Sequence, residues 1–371
     1  MIVEQGPARH METLSRLMMR AYCESSRTTS QDELNQLRQD LRYVAALSPE
    51  QLAEFLELAN TNHVIVRALS ALQNAAALEN EKRVADWCEH SLSVERARIE
   101  RAVSILHRIC NVMEHQGCQV AVIKSLDHWP DLGSDLDLYT TAAASLVERV
   151  MAKEFQAYPV EQSWGDRLAQ KWNYRVPDIP ELVEVHVQFL GQTGEHAELA
   201  RRVIHRRVVK TIAARDFRVA AAEERIVISA LQRVYRHFYF RLCDMIDHAE
   251  LLQSGGVNFD ELKSAAMSAG IWPGVATFLC LIQNYIQSHG AVLALPDDVP
   301  SAAYSRRSHV RFGAGFLRIS KITAAELYGS QLLQAGVRRD FRALLRLPLL
   351  PPLAVSALVA HSVTGNDKGI W

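Results

Sequence analysis

The sequence LGSDLDLY at residues 132–139 decides the fold. It predicts a turn that runs into a short strand, in which successive side chains point to opposite faces. Asp135 and Asp137 therefore share one face, and Leu136 and Leu138 share the other. Two neighbouring carboxylates repel each other and resist burial, and a divalent cation such as Mg²⁺, which takes oxygen ligands, removes that conflict. Without such an ion, the same residues form a polar turn before a half-exposed strand.

Composition and charge restrict the class of protein. The chain has 371 residues, of which 49% are apolar and 22% charged, so it is long enough for two or three globular domains. The formal net charge of -1 argues against a long nucleic-acid partner, because proteins that bind one usually carry a basic domain. None of the six cysteines forms a CxxC pair, and the first twenty residues contain acids and no signal-like apolar core. We therefore predict a cytoplasmic protein with reduced, buried thiols.

Hydrophobic spacing places helical regions around one β-rich segment. Helical periodicity dominates residues 11–114 and 221–288, and the motif Ser48-Pro49-Glu50 predicts a helix start. Between them lie an apolar β-branched run (119–123), a helix (141–155) and the two arms of a hairpin (171–176 and 181–189). We predict an α+β, mostly helical fold, with a small mixed β-sheet core flanked by N- and C-terminal helical regions. The predicted regions are 1–114 (helical), 115–215 (core), 216–300 (helical, closing a cleft) and 301–371 (basic and apolar, helical).

Residues 183–189, with the sequence VEVHVQF, alternate between apolar and polar side chains. Glu184 and His186 lie on the polar face of this predicted strand. Such alternation usually marks a strand with one face in water. The alternative is that Glu184 supplies a third carboxylate beside Asp135 and Asp137. The order of the elements along the chain favours this second interpretation.

That order resembles the DNA polymerase beta-type nucleotidyltransferase superfamily. The sequence IKS (123–125) is followed, after nine further residues, by DLDL (135–138), a helix and the EVHV strand (184–187). Within the superfamily, the chain is most similar to a bacterial nucleotidyltransferase-like family with Lys-Gly, Asp-Ile-Asp-Leu and Asp-x-His-Trp motifs and a late Arg and Asp, here RLCDMID (241–247). It departs from that pattern at the Gly of the first motif, at Glu184 and Val187, and at Gly133-Ser134, where the family has a basic residue. Residues 115–215 would be the nucleotidyltransferase-like core.

The resemblance implies transfer of a nucleoside monophosphate from an NTP to a small-molecule or peptide acceptor, with release of pyrophosphate. Two Mg²⁺ ions, or Mn²⁺, would be held by Asp135, Asp137 and Glu184, and Glu184 could also take the proton of the acceptor. The residues implied in nucleotide binding are Lys124, Ser125, Gly133, Ser134 and Arg241, and those implied near the acceptor are His186, Asp244 and Asp247.

Several of these residues have a structural interpretation as well. Lys124 could be a solvated lysine at a strand end, and His186 a packed core histidine. Arg241, Asp244 and Asp247 recur every three residues, which also fits a ladder of ion pairs on the surface of a helix. The whole protein could instead be a non-catalytic nucleotide-binding or regulatory protein on a degenerate nucleotidyltransferase fold. The segment 346–371 could contact an anionic membrane, although a helix packed on the domain suits its length better.

Overall fold

The computed structural model describes residues 5–24, 31–304 and 309–364, and it confirms a mostly helical α+β fold. The N-terminal helices are α1 (Gln5–Glu24), α2 (Gln31–Ala45), α3 (Pro49–Thr61), α4 (Ile65–Leu78) and α5 (Lys82–His115). Helix α3 begins at the predicted motif. There the Ser48 side chain accepts the Gln51 N–H (3.3 Å), and the Gln51 side chain accepts the Ser48 N–H (2.9 Å). This reciprocal pair satisfies two backbone donors that the first turn of the helix cannot satisfy internally.

A seven-stranded mixed sheet forms the centre of the molecule. Its strands are β1 (Val120–Val122), β2 (Asp135–Thr140), β3 (Tyr158–Pro159), β4 (Lys171–Arg175), β5 (Leu182–Val187), β6 (Val208–Ile212) and β7 (Arg215–Val219), in the spatial order β3-β4-β5-β2-β1-β7-β6. Strands β2 and β5 run parallel, whereas β1 is antiparallel to β2. The predicted hairpin is formed by β4 and β5. The pairing of β6 with β7 has no counterpart in the sequence-based prediction.

The two central strands bury one face completely. Leu136 and Leu138 of β2, and Val183 and Val185 of β5, each have an exposed fraction of 0%. The apolar halves of both alternating patterns are therefore core, and the polar halves share the opposite face. A slip of one residue would turn every one of these side chains to the wrong face, so the burial fixes the register. The five cysteines whose side chains are described are also buried, as predicted.

The helices that surround the sheet are interrupted where the sequence predicts continuity. These elements are α6 (Ala144–Phe155), α7 (Trp164–Ala169), α8 (Ala197–His205), α9 (Ala222–Ala230), a π-helical turn (Leu231–His237), β8 (Tyr239–Phe240), α10 (Leu242–Gln253), α11 (Phe259–Ser268), α12 (Trp272–Ser288) and α13 (Asp298–Ala302). The helical periodicity predicted over residues 221–288 therefore does not correspond to continuous helix. The chain leaves the helix at Phe238, whose φ of 58° is left-handed, because the next residues pair with a strand from the C-terminal region.

The C-terminal region is partly β-structure as well. It comprises β9 (Arg311–Gly313), β10 (Phe316–Arg318), α14 (Lys321–Val337), α15 (Phe341–Arg346), a 3₁₀ turn (Leu347–Leu349) and α16 (Leu350–Thr364). Strands β8, β10 and β9 form a three-stranded sheet that the prediction of a helical region over residues 301–371 did not include. Arg342 and Arg346 donate to the carbonyls of Gly194 (2.7 Å) and Leu168 (2.5 Å), and so tie α15 to the core. The four regions delimited from the sequence stay a prediction.

The segment considered as an alternative membrane contact lies at the end of this region. Over residues 5–24, 31–304 and 309–364, the helices do not combine the length and apolarity that crossing a membrane requires. Residues 365–371 of the segment 346–371 lie outside the described part of the chain.

A buried ion network connects the N-terminal helices to α10. Arg67 of α4 donates from Nε to Asp131 Oδ2 (2.8 Å) and from Nη1 to Asp247 Oδ1 (2.5 Å). Asp131 also accepts the Val66 N–H (2.5 Å), which caps α4 in place of a local capping side chain. Burial alone would raise the pKa of Asp247, but Arg67 and a neighbouring histidine outweigh it and lower that pKa to about 2. Removal of Arg67 would therefore leave two buried negative charges without their main partner.

We predict that Arg67→Met lowers the free energy of unfolding by about 3–5 kcal/mol, the usual cost of breaking a buried ion pair from one side. Urea unfolding at pH 7 measures this loss. The matched control is Arg38→Met, because Arg38 pairs with Glu79 (2.8 Å) at the surface, where a pair contributes less than about 1 kcal/mol. Similar losses in both variants would contradict the central role of Arg67.

A second prediction concerns His248 of α10, which is buried beside Phe278 and donates from Nδ1 to the Asp244 carbonyl (2.8 Å). Burial lowers the pKa of His248 from its ordinary value. The unfolded chain therefore takes up more protons than the folded one as the pH falls below about 6.5, and the free energy of unfolding decreases there.

In urea unfolding at pH 7.5 and 5.5, His248→Asn should show a smaller decrease than the wild type. The exposed His205→Asn variant serves as the control and should behave like the wild type. An unchanged pH dependence in His248→Asn would show that the histidine does not titrate as we expect.

Candidate active site

Three carboxylates lie on the polar face of the two central strands. In the parallel pairing of β2 with β5, Asp137 stands directly opposite Glu184. Asp135 precedes Asp137 by two residues, so it lies on the same face. His186 follows Glu184 on that face, and the ligand atoms of Asp137, Glu184 and His186 all lie within 4.8 Å of one another. The alternating sequences of the two strands therefore converge on one acidic cluster.

Two lysines contact this cluster. Lys124 Nζ is 2.5 Å from Asp137 Oδ1 and 3.6 Å from Glu184 Oε1. Lys171 Nζ is 2.9 Å from Glu184 Oε2 and 2.7 Å from Asp166 Oδ1. Lys124 is thus engaged with the acids, and the interpretation as a solvated strand-end lysine is wrong. Sequence analysis missed Lys171, although the hairpin register, which sets it opposite His186, is the signal that could have found it.

The surroundings shift the pKa values of the two paired carboxyls, Asp137 and Glu184, in opposite directions. Burial raises the pKa of Asp137 to about 7, even though Lys124 acts in the opposite direction. Burial would also raise the pKa of Glu184, but Lys171 and Lys124 together hold it well below its ordinary value. Burial lowers the pKa of His186 to about 4, so its imidazole is neutral near pH 7. The site therefore lacks enough positive charge to hold every carboxyl fully ionised.

The serines predicted to contact a nucleotide support the acidic strand. Ser125 Oγ accepts the Asp137 N–H (2.6 Å) and donates to the Asp135 carbonyl (3.1 Å). Ser134 Oγ donates to Asp135 Oδ2 (3.2 Å). The turn at Gly133 is held from behind by Arg98 of α5, which donates to the Leu132 carbonyl (2.9 Å). Both serines and Gly133 also line the cavity above the acidic strand.

The acidic cluster forms the floor of a polar cleft of about 260 Å³. The charged residues that line it are three acids (Asp135, Asp137, Glu184) and five cations (Lys124, Lys171, Arg233, Arg236, Arg241). The cationic side chains therefore outnumber the acids by two, with the histidines left out of the count. Such an excess of cations suits a polyanionic ligand.

Two of the three arginines come from an element that the sequence did not predict. Arg233 and Arg236 lie on the π-helical turn, a rare conformation that is frequent at functional sites, and Arg241 is the residue before α10. Asp244 Oδ2 accepts the Arg241 N–H (2.7 Å) and forms an ion pair with Arg233, whose Nε lies 2.7 Å away. We call Arg233, Arg236 and Arg241 the arginine wall of the cleft. Asp244 contacts two of these three residues, and it does not line the cleft itself.

Asp247 is likewise buried beneath the cleft. It contacts Arg67 and accepts from His128 Nδ1 (2.5 Å), and His128 lines the cleft. The interpretation of Arg241, Asp244 and Asp247 as a ladder of surface ion pairs is wrong, because the two aspartates pair with residues from other elements.

A second, mainly apolar pocket of about 60 Å³ lies next to the cleft. Lys124, Gln232 and Arg236 line both cavities. Leu190, Ile228 and Leu231 supply apolar surface, and His186 lines this pocket while its Nε2 contacts Glu184 Oε1 (2.8 Å). His186 thus lies between the acidic cluster and the apolar pocket.

Carboxylate oxygens are the ligands that Mg²⁺ and Mn²⁺ prefer. Asp137 and Glu184 offer such oxygens close together, with Asp135 beside them. The raised pKa of Asp137 also shows that further positive charge would be stabilising here. The cluster therefore has the chemistry to hold a hard divalent cation, provided that Lys124 moves away from Asp137.

Comparisons with known proteins give a limited likeness. No family model matches the chain, and no curated protein matches its sequence. Among solved structures, the antibiotic-resistance factor ANT(2'')-Ia is similar at 12% identity and a TM-score of 0.33, over 45% of this chain and 90% of that one. An antigenic nucleotidyltransferase-like protein from Paracoccidioides brasiliensis is similar at 15% identity and a TM-score of 0.30, over 46% of this chain and 86% of that one. At these identities and TM-scores the likeness supports no argument about function, so the function of this chain has to be inferred from its own cleft.

Proposed function

We propose that the protein is a metal-dependent nucleotidyltransferase that moves a nucleoside monophosphate from an NTP to a small-molecule or peptide acceptor. One observation carries the proposal: Asp137 and Glu184 are paired across parallel strands, with Asp135 beside them, on the floor of a cleft. Three arginines line the same cleft. Carboxylates and arginines within one cavity suit a ligand that brings both metal ions and phosphates.

Asp135, Asp137 and Glu184 would hold Mg²⁺ or Mn²⁺. When bound, the cation would neutralise charge on the phosphates and lower the pKa of the attacking group of the acceptor. Lys124 would then exchange Asp137 for a phosphate oxygen, since its side chain is already poised at the cleft. Lys171 would stay on Glu184 and Asp166, which keeps the Glu184 carboxylate ionised and oriented.

The arginine wall would bind the triphosphate. Arg233 is buried, and its contact with Asp244 fixes its position before any ligand arrives. Fixed positive charge of this kind stabilises charge that develops during phosphoryl transfer without further reorganisation. Arg236 and Arg241 would add donors from the same wall, and the Gly133–Ser134 turn would face the nucleotide from the other side.

The apolar pocket would receive the acceptor. The neutral His186 donates from Nε2 to Glu184, so its Nδ1 is an acceptor atom. This Nδ1 is buried and has no hydrogen-bond partner among the described residues. In the reaction, the acceptor oxygen or nitrogen bonds to the α-phosphorus, and the bond from that phosphorus to the bridging oxygen breaks. Pyrophosphate leaves with the electron pair, and the acceptor proton passes to His186 Nδ1 or to Glu184.

A second candidate is a non-catalytic nucleotide-binding or regulatory protein. The observation that favours it is the pairing of Lys124 and Lys171 with Asp137 and Glu184. These lysines neutralise much of the acidic charge without a metal ion. Such a protein would bind NTP through the arginine wall alone and would release no pyrophosphate.

Titration calorimetry with ATP, GTP, CTP and UTP tests the proposal, with and without Mg²⁺. We expect Mg²⁺ to strengthen NTP binding by about tenfold or more, because the acids and phosphates share the ion. The double variant Asp135→Asn/Asp137→Asn should lose this Mg²⁺ dependence. Asp178→Asn, in the exposed turn of the hairpin, is the matched control and should keep it.

Pyrophosphate release, measured with a mixture of small amino alcohols and short peptides as acceptors, separates the two candidates. Mg²⁺-independent NTP binding without pyrophosphate release would support the regulatory protein. Absence of NTP binding in the wild type would contradict both candidates.

A further prediction concerns the role of His186. His186→Gln keeps a donor near the position of Nε2 for Glu184 but removes the acceptor atom Nδ1. We expect NTP binding to stay as in the wild type and pyrophosphate release to fall by about 10²- to 10⁴-fold, the usual contribution of a general base. Full activity in this variant would show that His186 only positions Glu184.

A further inference from the structure

A second cluster of metal-ligating side chains lies in the wall of the same cleft. His63 precedes α4, His128 follows β1, and Cys243 lies in the first turn of α10. Their ligand atoms all lie within 4.8 Å of one another. These residues are far apart in sequence, so no local motif marks them. They are also separate from the carboxylates to which the proposed nucleotidyl transfer assigns Mg²⁺.

The distances between the ligand atoms suit a tetrahedrally coordinated metal ion that accepts both nitrogen and sulfur ligands. Cys243 Sγ is 3.8 Å from His128 Nε2. A tetrahedral zinc ion with ordinary bond lengths holds a sulfur and a nitrogen ligand about 3.6 Å apart. Two imidazoles and one thiolate are donors that Zn²⁺ prefers over Mg²⁺. The His63 and His128 rings lie 5.4 Å apart between centroids and at 62° to each other.

His128 has the support that metal-binding histidines usually have. Its Nδ1 contacts Asp247 Oδ2 (2.5 Å), which leaves Nε2 directed towards Cys243. A carboxylate on the far nitrogen fixes the tautomer and the ring orientation, and it raises the basicity of the ligating nitrogen. Asp247 is in turn held by Arg67. Asp247, which has no part in the proposed nucleotidyl transfer, would thus orient His128 for metal binding.

His63 is held in place at a structural cost. Its φ of 52° is left-handed, a conformation that is unfavourable for a residue other than glycine. The ring lies against Gly133, where a Cβ atom would come within 2.7 Å of His63 Cε1. The Nδ1 atom is buried and has no hydrogen-bond partner in the described part of the chain. The left-handed backbone of His63 and the absence of a side chain at Gly133 therefore both accommodate the His63 imidazole at the cleft.

A nucleophilic Cys–His–Asp triad is the competing interpretation of these contacts. Cys243 has an exposed fraction of 0% and does not line the cleft, so a substrate cannot reach its sulfur. Burial also raises the pKa of the thiol, which disfavours the nucleophilic thiolate in the absence of a cation. A single ion is small enough to contact the sulfur from the side of the two histidines.

We propose that His63, His128 and Cys243 bind one Zn²⁺ ion in the wall of the cleft. Because both histidines line the cleft and Cys243 lies beneath them, the fourth coordination position would be reached from the cleft. The ion would join the start of α4, the loop after β1 and the start of α10. It would thereby fix the wall that faces the Gly133–Ser134 turn.

Titration of the metal-free full-length protein with Co²⁺ tests the site, because a cobalt–thiolate bond gives a charge-transfer absorption in the near ultraviolet. We expect this absorption to saturate at one Co²⁺ per chain and to disappear on addition of Zn²⁺. Cys243→Ser should abolish it. Cys110→Ser, which changes a buried cysteine in α5, is the matched control and should keep it.

Two further variants distinguish this site from the proposed Mg²⁺ site and cover the case in which Cys243→Ser does not fold. Asp135→Asn/Asp137→Asn should keep the cobalt–thiolate absorption, which separates this site from the proposed Mg²⁺ site. His63→Gln should weaken Co²⁺ binding by about 10- to 100-fold or more. Circular dichroism checks that this variant folds. If Cys243→Ser does not fold, the affinity of His63→Gln for Co²⁺ tests the site in its place. Absence of the absorption in the wild type, its survival in Cys243→Ser, or unchanged affinity in folded His63→Gln would overturn the proposal.

Discussion

The parallel pairing of β2 with β5 places Asp137 beside Glu184 and sends Leu138 and Val185 together into the core. Burial of the apolar face fixes this register, and the register in turn brings the carboxylates together on the other face. Three acids in so small a space repel one another, and the surrounding structure provides the compensation. Lys124 and Lys171 supply positive charge, and Ser125 binds the backbone of the acidic strand. The candidate site is therefore a consequence of how the sheet buries its other face.

A layer of buried polar contacts lies behind the cleft and links its walls. Asp244 holds Arg233, whereas Asp247 holds His128, and Arg67 connects Asp247 to Asp131 at the start of α4. None of these supporting acids lines the cleft, yet each fixes a side chain or a helix end close to it. Buried ion pairs of this kind add little net stability. Their effect here is to hold charged side chains in one orientation before a ligand binds.

Period-two alternation made the acidic strands predictable. The sequences at 135–138 and 183–187 show which side chains share a face, and the order of elements suggested that Glu184 joins the aspartates. Lys171 was missed because its position depends on the register of a hairpin, which single-sequence reading did not establish. The π-helical turn was not predicted because the apolar spacing over residues 221–288 also fits an ordinary helix. The strand after it forms only because β10, almost eighty residues later, pairs with it.

The remaining features of the candidate site depend on contacts between segments that are distant in sequence. His63 reaches Gly133 and His128 only in the folded chain, so their sequence spacing carries no signal. Arg98 follows the helical period of α5, yet it holds the turn before β2 through the Leu132 carbonyl. Periodicity describes one element at a time, whereas these contacts depend on how elements pack. The fold class was therefore within reach of the sequence, as were Lys124 and Arg241, whereas Lys171, Arg233 and Arg236 were not.

The most direct test of the nucleotidyltransferase assignment is a crystal structure with Mn²⁺ and a non-hydrolysable NTP analogue, with the metal located by its anomalous scattering. The account predicts manganese on the carboxylate oxygens of Asp135, Asp137 and Glu184, Lys124 moved from Asp137 to a phosphate, and the triphosphate on Arg233, Arg236 and Arg241. Lys124 still bound to Asp137, with no manganese on these carboxylates at saturating analogue, would contradict it.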